Sequence, residues 1–132
     1  MIVLDASAAI ARVLPSQKTS AAVDFFALAP QRFIAPRIFH WEFPNTLLRF
    51  ERKGALTLEE TDGAIAAWFS ILDIRDTLSP LSLLSLARTE RLSPFDAAYL
   101  HLATQVGASI ASRDQALLEA AHRRGVPVHD LR

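Results

Sequence analysis

The chain has 132 residues, 51% of them hydrophobic and 21% charged, which suits one domain spanning 1–132 with its own buried core. Fourteen basic residues balance fourteen acidic ones, so the net charge is zero with histidine neutral; this argues against a generally basic nucleic-acid surface and leaves only a local patch or a bound metal for such contacts. The absence of cysteine removes disulfides and thiolate metal sites, and no stretch is long enough for a signal peptide or a bilayer span, so a cytoplasmic protein with no membrane contact is expected.

Short β-like runs alternate with helical patterns, with no internal repeat. Ile2-Val3-Leu4 reads as a buried strand, and a first short helix ends at Arg12-Val13-Leu14 before Pro15. Residues 18–29 carry Ala21, Ala22, Phe25, Phe26 and Ala29 at helical spacing. Phe33-Ile34-Ala35 is a second strand, ended by Pro36. Residues 39–52 set Phe39, Phe43, Leu47 and Phe50 on one helical stripe. Pro44 fits that helix if it starts near His40, which places the proline in a first turn whose amides lack partners; otherwise the helix kinks there. Thr57-Leu58-Glu59-Glu60 is a capping box opening a helix with Ile65, Trp68, Phe69 and Leu72 as its apolar positions.

Ile74 belongs to a short third strand. Ser79-Pro80 and Ser93-Pro94 each start a helix as N-cap and first residue, and the second of these stops at Gly107. Residues 108–111 read as a strand and 114–123 as a helix. Gly125 closes that helix, and Val126-Pro127-Val128 is a last strand, placed at an edge by its proline. This alternation predicts an α/β fold with a parallel sheet covered by helices on both faces. Functional groups then gather at the carboxyl ends of the strands, near a topological switch point.

Four acids stand out. Asp5 follows a strand and can cap the next helix. Asp96 is the last residue of a Ser93-x-x-Asp96 box, where a carboxylate suits the helix N-terminus. Asp114 follows a strand and can cap the last helix. Glu42 is harder to dismiss, because it lies among Phe39, Trp41, Phe43 and Leu47, where a carboxylate needs a partner or a metal. Taken together, three aspartates sit on the ligand-bearing rim, and Asp5 and Asp114 follow strands that a doubly wound order places side by side. Four ionised carboxylates within ~6 Å would repel by roughly 3 kcal/mol per pair. Such a cluster must bind a hard cation or hold protons with raised pKa values. Oxygen-only ligands select Mg²⁺ or Mn²⁺.

Four segments, in order, carry a family likeness: Ile2-Val3-Leu4-Asp5-Ala6-Ser7; His40-Trp41-Glu42 with Asn45; Ser93-Pro94-Phe95-Asp96-Ala97-Ala98-Tyr99-Leu100; and Ala111-Ser112-Arg113-Asp114. Together they resemble the PIN domain, most closely the VapC-type toxins, over nearly the whole chain. The resemblance implies a three-layer α/β/α sandwich with a five-stranded parallel sheet. It implies a ribonuclease whose catalytic acids are Asp5, Glu42, Asp96 and Asp114, with Asp5, Asp96 and Asp114 holding the metal. Ser7 and Ser112 match the family's hydroxyl positions, and Asn45, one turn after Glu42, is placed to hydrogen-bond it. The chain departs from the commoner pattern at Pro44, where an aliphatic residue usually stands.

The expected reaction is hydrolysis of an RNA phosphodiester by metal-activated water. Arg12, Arg49, Arg52, Lys53 and Arg113 are the candidate RNA contacts, although charges at the end of a helix also serve its dipole. His40, His101, His122 and His129 lack metal-ligand spacing and are read as ordinary residues. The resemblance further implies a homodimer and a small antitoxin that blocks the site with an arginine. Three other readings share the acids or the fold: a PIN nuclease of RNA maturation, a non-catalytic PIN-fold binding module, and an aspartyl phosphotransferase. The last lacks a second acid beside Asp5, where Ser7 stands.

Overall fold

The computed structural model describes residues 1–28, 31–76 and 79–132. Five strands are present among them: β1 (Ile2–Leu4), β2 (Phe33–Pro36), β3 (Asp73–Arg75), β4 (Ser109–Ser112) and β5 (Val128–Asp130). The seven α-helices are α1 (Ala6–Val13), α2 (Ser20–Ala27), α3 (Phe39–Arg52), α4 (Leu58–Ile71), α5 (Pro80–Glu90), α6 (Pro94–Val106) and α7 (Gln115–Arg123), with a 3-10 turn at Pro15–Gln17. The sheet is parallel throughout, in the order β3-β2-β1-β4-β5.

The three central strands are apolar and buried, as strands covered on both faces must be. The edge strands β3 and β5 are half-exposed and carry Asp73, Arg75, His129 and Asp130, charges and polar groups that discourage pairing with another chain. From β1 the chain moves outward to β2 and β3, then crosses to β4 and β5 on the other side. Right-handed crossovers therefore put α1–α4 on one face and α5–α7 on the other. Helix packing follows the same division: α1 contacts α2, α3 and α4, whereas α6 contacts α5 and α7. One continuous core runs through both layers, from Val3, Ile34 and Ile110 in the sheet to Phe43, Trp68 and Leu102 in the helices. The predicted three-layer α/β/α sandwich is observed.

Local chemistry explains most element boundaries. Thr57 and Glu60 form the full reciprocal capping box of α4, at 3.1 and 3.0 Å. Ser79 and Ser93 accept the amides of Ser82 and Asp96, each with proline as the next residue. Gly107 ends α6 in the left-handed conformation, at φ 68°.

Five boundaries differ from the sequence-based expectation. Helix α2 runs from Ser20, because Thr19 is its N-cap and accepts the Ala22 amide at 3.1 Å. Its end lies at Ala27, and Ala29 falls outside the described residues. Pro36 is the last residue of β2, paired with Arg75, rather than the residue that stops it. Strand β4 begins at Ser109, since the Ala108 amide turns back to the Ala103 carbonyl and closes α6. Strand β5 begins after Pro127, which has no amide to give and contributes its carbonyl to Ile110 at 2.9 Å.

The fifth difference concerns Pro44. Helix α3 starts at Phe39, so Pro44 is its sixth residue and lies beyond the first turn. The His40 carbonyl thus faces a residue that has no amide. Phe39 and Phe43 stack at 5.0 Å on the buried side and hold the helix down through this defect. Pro44→Ala restores the missing amide, so it should raise stability by about 1–3 kcal/mol. The check is a higher urea midpoint at unchanged slope.

Candidate active site

The sheet order sets β1 beside β4, with Leu4 opposite Ala111. Asp5 and Asp114 therefore leave the carboxyl ends of adjacent strands at the switch point. The Asp5 amide bonds the Ala111 carbonyl at 3.1 Å, so the register extends to the acid itself.

Asp5 occupies the N-cap position of α1, yet its side chain makes no capping hydrogen bond. Instead it is buried, and its Oδ2 accepts hydrogen bonds from Ser7 Oγ at 2.6 Å and Ser112 Oγ at 2.7 Å. The two hydroxyls are themselves fixed: Ser7 Oγ accepts the Arg113 amide and Ser112 Oγ the Asp114 amide, both at 2.9 Å. Two hydroxyls from two chain segments, each held by a backbone amide, thus converge on one carboxylate oxygen, and Oδ1 takes neither serine bond. Asp114 behaves differently. It caps α7, its Oδ1 accepting the Leu117 amide at 2.8 Å. Asp96 lies in the first turn of α6, where Ser93 supplies the cap.

Asp5, Glu42, Asp96 and Asp114 all line one cleft of about 430 Å³. Their pKa values show mutual pressure. Burial raises Asp5 above the usual range, with the Asp114 charge adding to it and the two serines opposing. Glu42 is pushed up to about 7, chiefly by burial, with the charges of Asp5 and Asp96 adding. Asp96 is raised to about 6 by burial and by the charges of Asp114 and Asp5.

Among the described residues, no three acid or histidine side chains already surround a single ion-sized point. The donor set still fits a hard divalent ion. It offers carboxylate oxygens only, and the acids in the cleft hold protons that a cation would displace.

The cleft also sorts the supporting candidates. Ser7 and Ser112 are anchors of Asp5, as described. Along α3, Glu42, Thr46, Arg49 and Phe50 line the cleft, the i, i+4, i+7, i+8 face of a helix. Asn45 is exposed, does not line the cleft and makes no hydrogen bond to Glu42 among the described residues. Thr46, whose hydroxyl donates to the Glu42 carbonyl at 2.9 Å, stands there instead; helical spacing from Glu42 was the signal that pointed to it.

Of the five cationic candidates, Arg49 and Arg113 line the cleft, and Arg113 is steadied by the Gln17 carbonyl. Arg52 and Lys53 are exposed at the far end of α3, outside the cleft. Arg12 lies elsewhere, its guanidinium 5.3 Å above the Trp68 ring and 5.7 Å from that of Phe26. These last three do not reach the acids. The histidines are likewise remote: His129 contacts Ser109 and Phe25, and His40 packs on Phe69.

The fold and cleft define an α/β protein that gathers acids at the switch point of a parallel sheet. Residues 2–123 match the sequence profile of the PIN domain, and the chain belongs to that family, whose members are generally nucleases. Solved structures share the fold. PAE2754 from Pyrobaculum aerophilum matches with a TM-score of 0.72 and 19% identity, over 96% of this chain and 82% of that one. FitAcB from Neisseria gonorrhoeae matches with a TM-score of 0.66 and 18% identity, over 99% and 98%. A structure of FitAB bound to an IR36 DNA fragment matches with a TM-score of 0.58 and 20% identity, over 99% and 95%. Among curated proteins, no sequence matches. No helix among the described residues is long and apolar enough to cross a membrane.

The raised pKa values fix the sign of a pH effect. Near neutral pH the folded protein holds protons on these acids that the unfolded chain has released. These acids therefore lower the stability of the metal-free protein as pH rises from about 5 to about 8, partly offset in the same range by His101 and His129, whose pKa values burial lowers. The lowered acids Asp73, Glu90 and Asp130 act below that window. Thermal midpoints in chelator across this range should decline, and Glu42→Gln should flatten the decline.

Proposed function

We propose that this chain, acting as one domain over residues 1–132, is a metal-dependent endoribonuclease and the toxin component of a type II toxin–antitoxin pair. The observation that carries the proposal is the convergence of Asp5, Glu42, Asp96 and Asp114 from four separate segments on one cleft. The VapC-like motifs and the likeness to FitAcB and FitAB support the toxin–antitoxin setting. A cytoplasmic location follows from that setting.

Asp5, Asp96 and Asp114 would hold Mg²⁺ or Mn²⁺, which when bound supplies Lewis-acid activation of water and neutralises charge on the phosphate. Ser7 and Ser112 keep Asp5 aimed by fixing Oδ2. Glu42 receives the proton of the attacking water as its oxygen bonds to phosphorus and the bond to the leaving ribose oxygen breaks. Burial, the main cause of its raised pKa in the metal-free protein, makes Glu42 a better proton acceptor than a solvated carboxylate. Arg49 and Arg113, on the cleft walls, neutralise flanking phosphates. An antitoxin arginine entering the cleft would satisfy the same acids and exclude the metal.

A homodimer is part of the proposal. Trp41 is 72% exposed, Leu81 74% and Phe95 53%, and a groove of about 290 Å³ runs between Trp41, Leu83 and Phe95. An apolar face of this kind suits an interface.

Purified protein should cut RNA at discrete sites with Mg²⁺ or Mn²⁺, and chelator, Asp5→Asn or Asp96→Asn should lower the rate at least about a hundredfold. Equal cleavage by wild type and both variants would refute the site. In light scattering, Trp41→Glu should convert the dimer to a folded monomer.

A further inference from the structure

Two polar atoms behind the cleft are buried without hydrogen-bond partners: Glu42 Oε1 and the Tyr99 hydroxyl. Tyr99 has no exposed surface and lies on α6, three residues after Asp96. The two groups are within range to act on each other. The phenol lowers the pKa of Glu42 and the carboxyl raises that of the phenol, although the geometry stops short of a hydrogen bond. The Ala6 amide, first in α1, also acts on the phenol oxygen. Unpaired buried polar atoms are costly, and pairing these two would satisfy both. The buried positions around Tyr99 on α6 are alanine and leucine, so packing alone would be served by phenylalanine.

We propose that Tyr99 is a positioning residue of the site: its hydroxyl donates to Oε1 of Glu42, leaving Oε2 as the single oxygen presented to the cleft. A terminal carboxylate torsion is broad, so an untethered Glu42 would offer its two oxygens in many orientations. Tethering one leaves the other aimed to receive the proton of the attacking water. Burial holds the phenol well above its ordinary pKa, so Tyr99 keeps its proton and serves as a fixed donor. The role rests on the proposed ribonuclease reaction and refines it.

Tyr99→Phe, Glu42→Gln and the double variant test the assignment on single-stranded RNA with Mn²⁺. Tyr99→Phe should lower kcat roughly ten- to a hundredfold with KM changed less than about twofold. Added to Glu42→Gln, it should change the residual rate by less than about twofold. Its thermal midpoint should fall by only a few degrees, the cost of one buried hydrogen bond, and its calorimetric Mn²⁺ affinity should be unchanged. Equal losses in both backgrounds, Mn²⁺ affinity falling in step with rate, or failure of Tyr99→Phe to fold would each overturn the proposal in favour of a packing role. Full activity of Tyr99→Phe beside an active wild type would remove this proposal alone. A wild type that binds Mn²⁺ and cleaves nothing would remove the ribonuclease reading, and the positioning role with it.

Discussion

Everything in this site depends on forcing like charges together in a half-buried cleft. The parallel sheet does the forcing. Strand β1 lies beside β4, and their carboxyl ends deliver Asp5 and Asp114 to neighbouring positions. Glu42 and Asp96 then close in from α3 and α6. Asp5 is the most constrained member. Two serine hydroxyls, each polarised by a backbone amide, hold one oxygen of a buried carboxylate that burial alone would drive toward its neutral form. Without those bonds, an Asp at this position would have turned to cap α1, as aspartates ordinarily do.

The cleft can meet its charge in three ways: protons, a divalent ion, or a cationic side chain from outside. The raised pKa values of Glu42 and Asp96 describe the first. The second and third compete for the same oxygens. On the proposed function, nuclease activity and its blockade by an antitoxin are two outcomes of one electrostatic demand. The chain's zero net charge fits this economy, since Arg49 and Arg113 stand beside the acids while other charges pair among themselves, as Glu90 does with Arg123 and Arg124.

Much of this was legible in the sequence, for identifiable reasons. Helix starts were clear where a short polar cap precedes proline or glutamate, as at Thr57, Ser79 and Ser93, because capping is a local interaction. The adjacency of Asp5 and Asp114 followed from topology, because right-handed crossovers leave few strand orders. The misreadings were of a different kind. Asn45 and Thr46 are one residue apart, and which of them faces the cleft depends on how α3 rotates against the core, a tertiary matter. Pro44 looked like a first-turn residue, but the aromatic pair Phe39–Phe43 anchors the helix earlier. Arg12 was a candidate phosphate contact, but it lies outside the cleft with its guanidinium over the ring of Trp68 from α4. Tyr99 stood in the sequence only as part of the Ser93–Leu100 motif, and the proposed role of its hydroxyl depends on the tertiary fold that brings Glu42 near it.

The most direct measurement is calorimetric titration of the metal-free protein with Mn²⁺ near pH ~6.5 in buffers of different ionisation enthalpy, which counts protons released. Because protons and the ion compete for the same carboxylates, binding should expel about one proton, and Asp5→Asn should weaken binding sharply. Binding with no proton release, or an affinity indifferent to Asp5, would show that the acids do not share one charge problem.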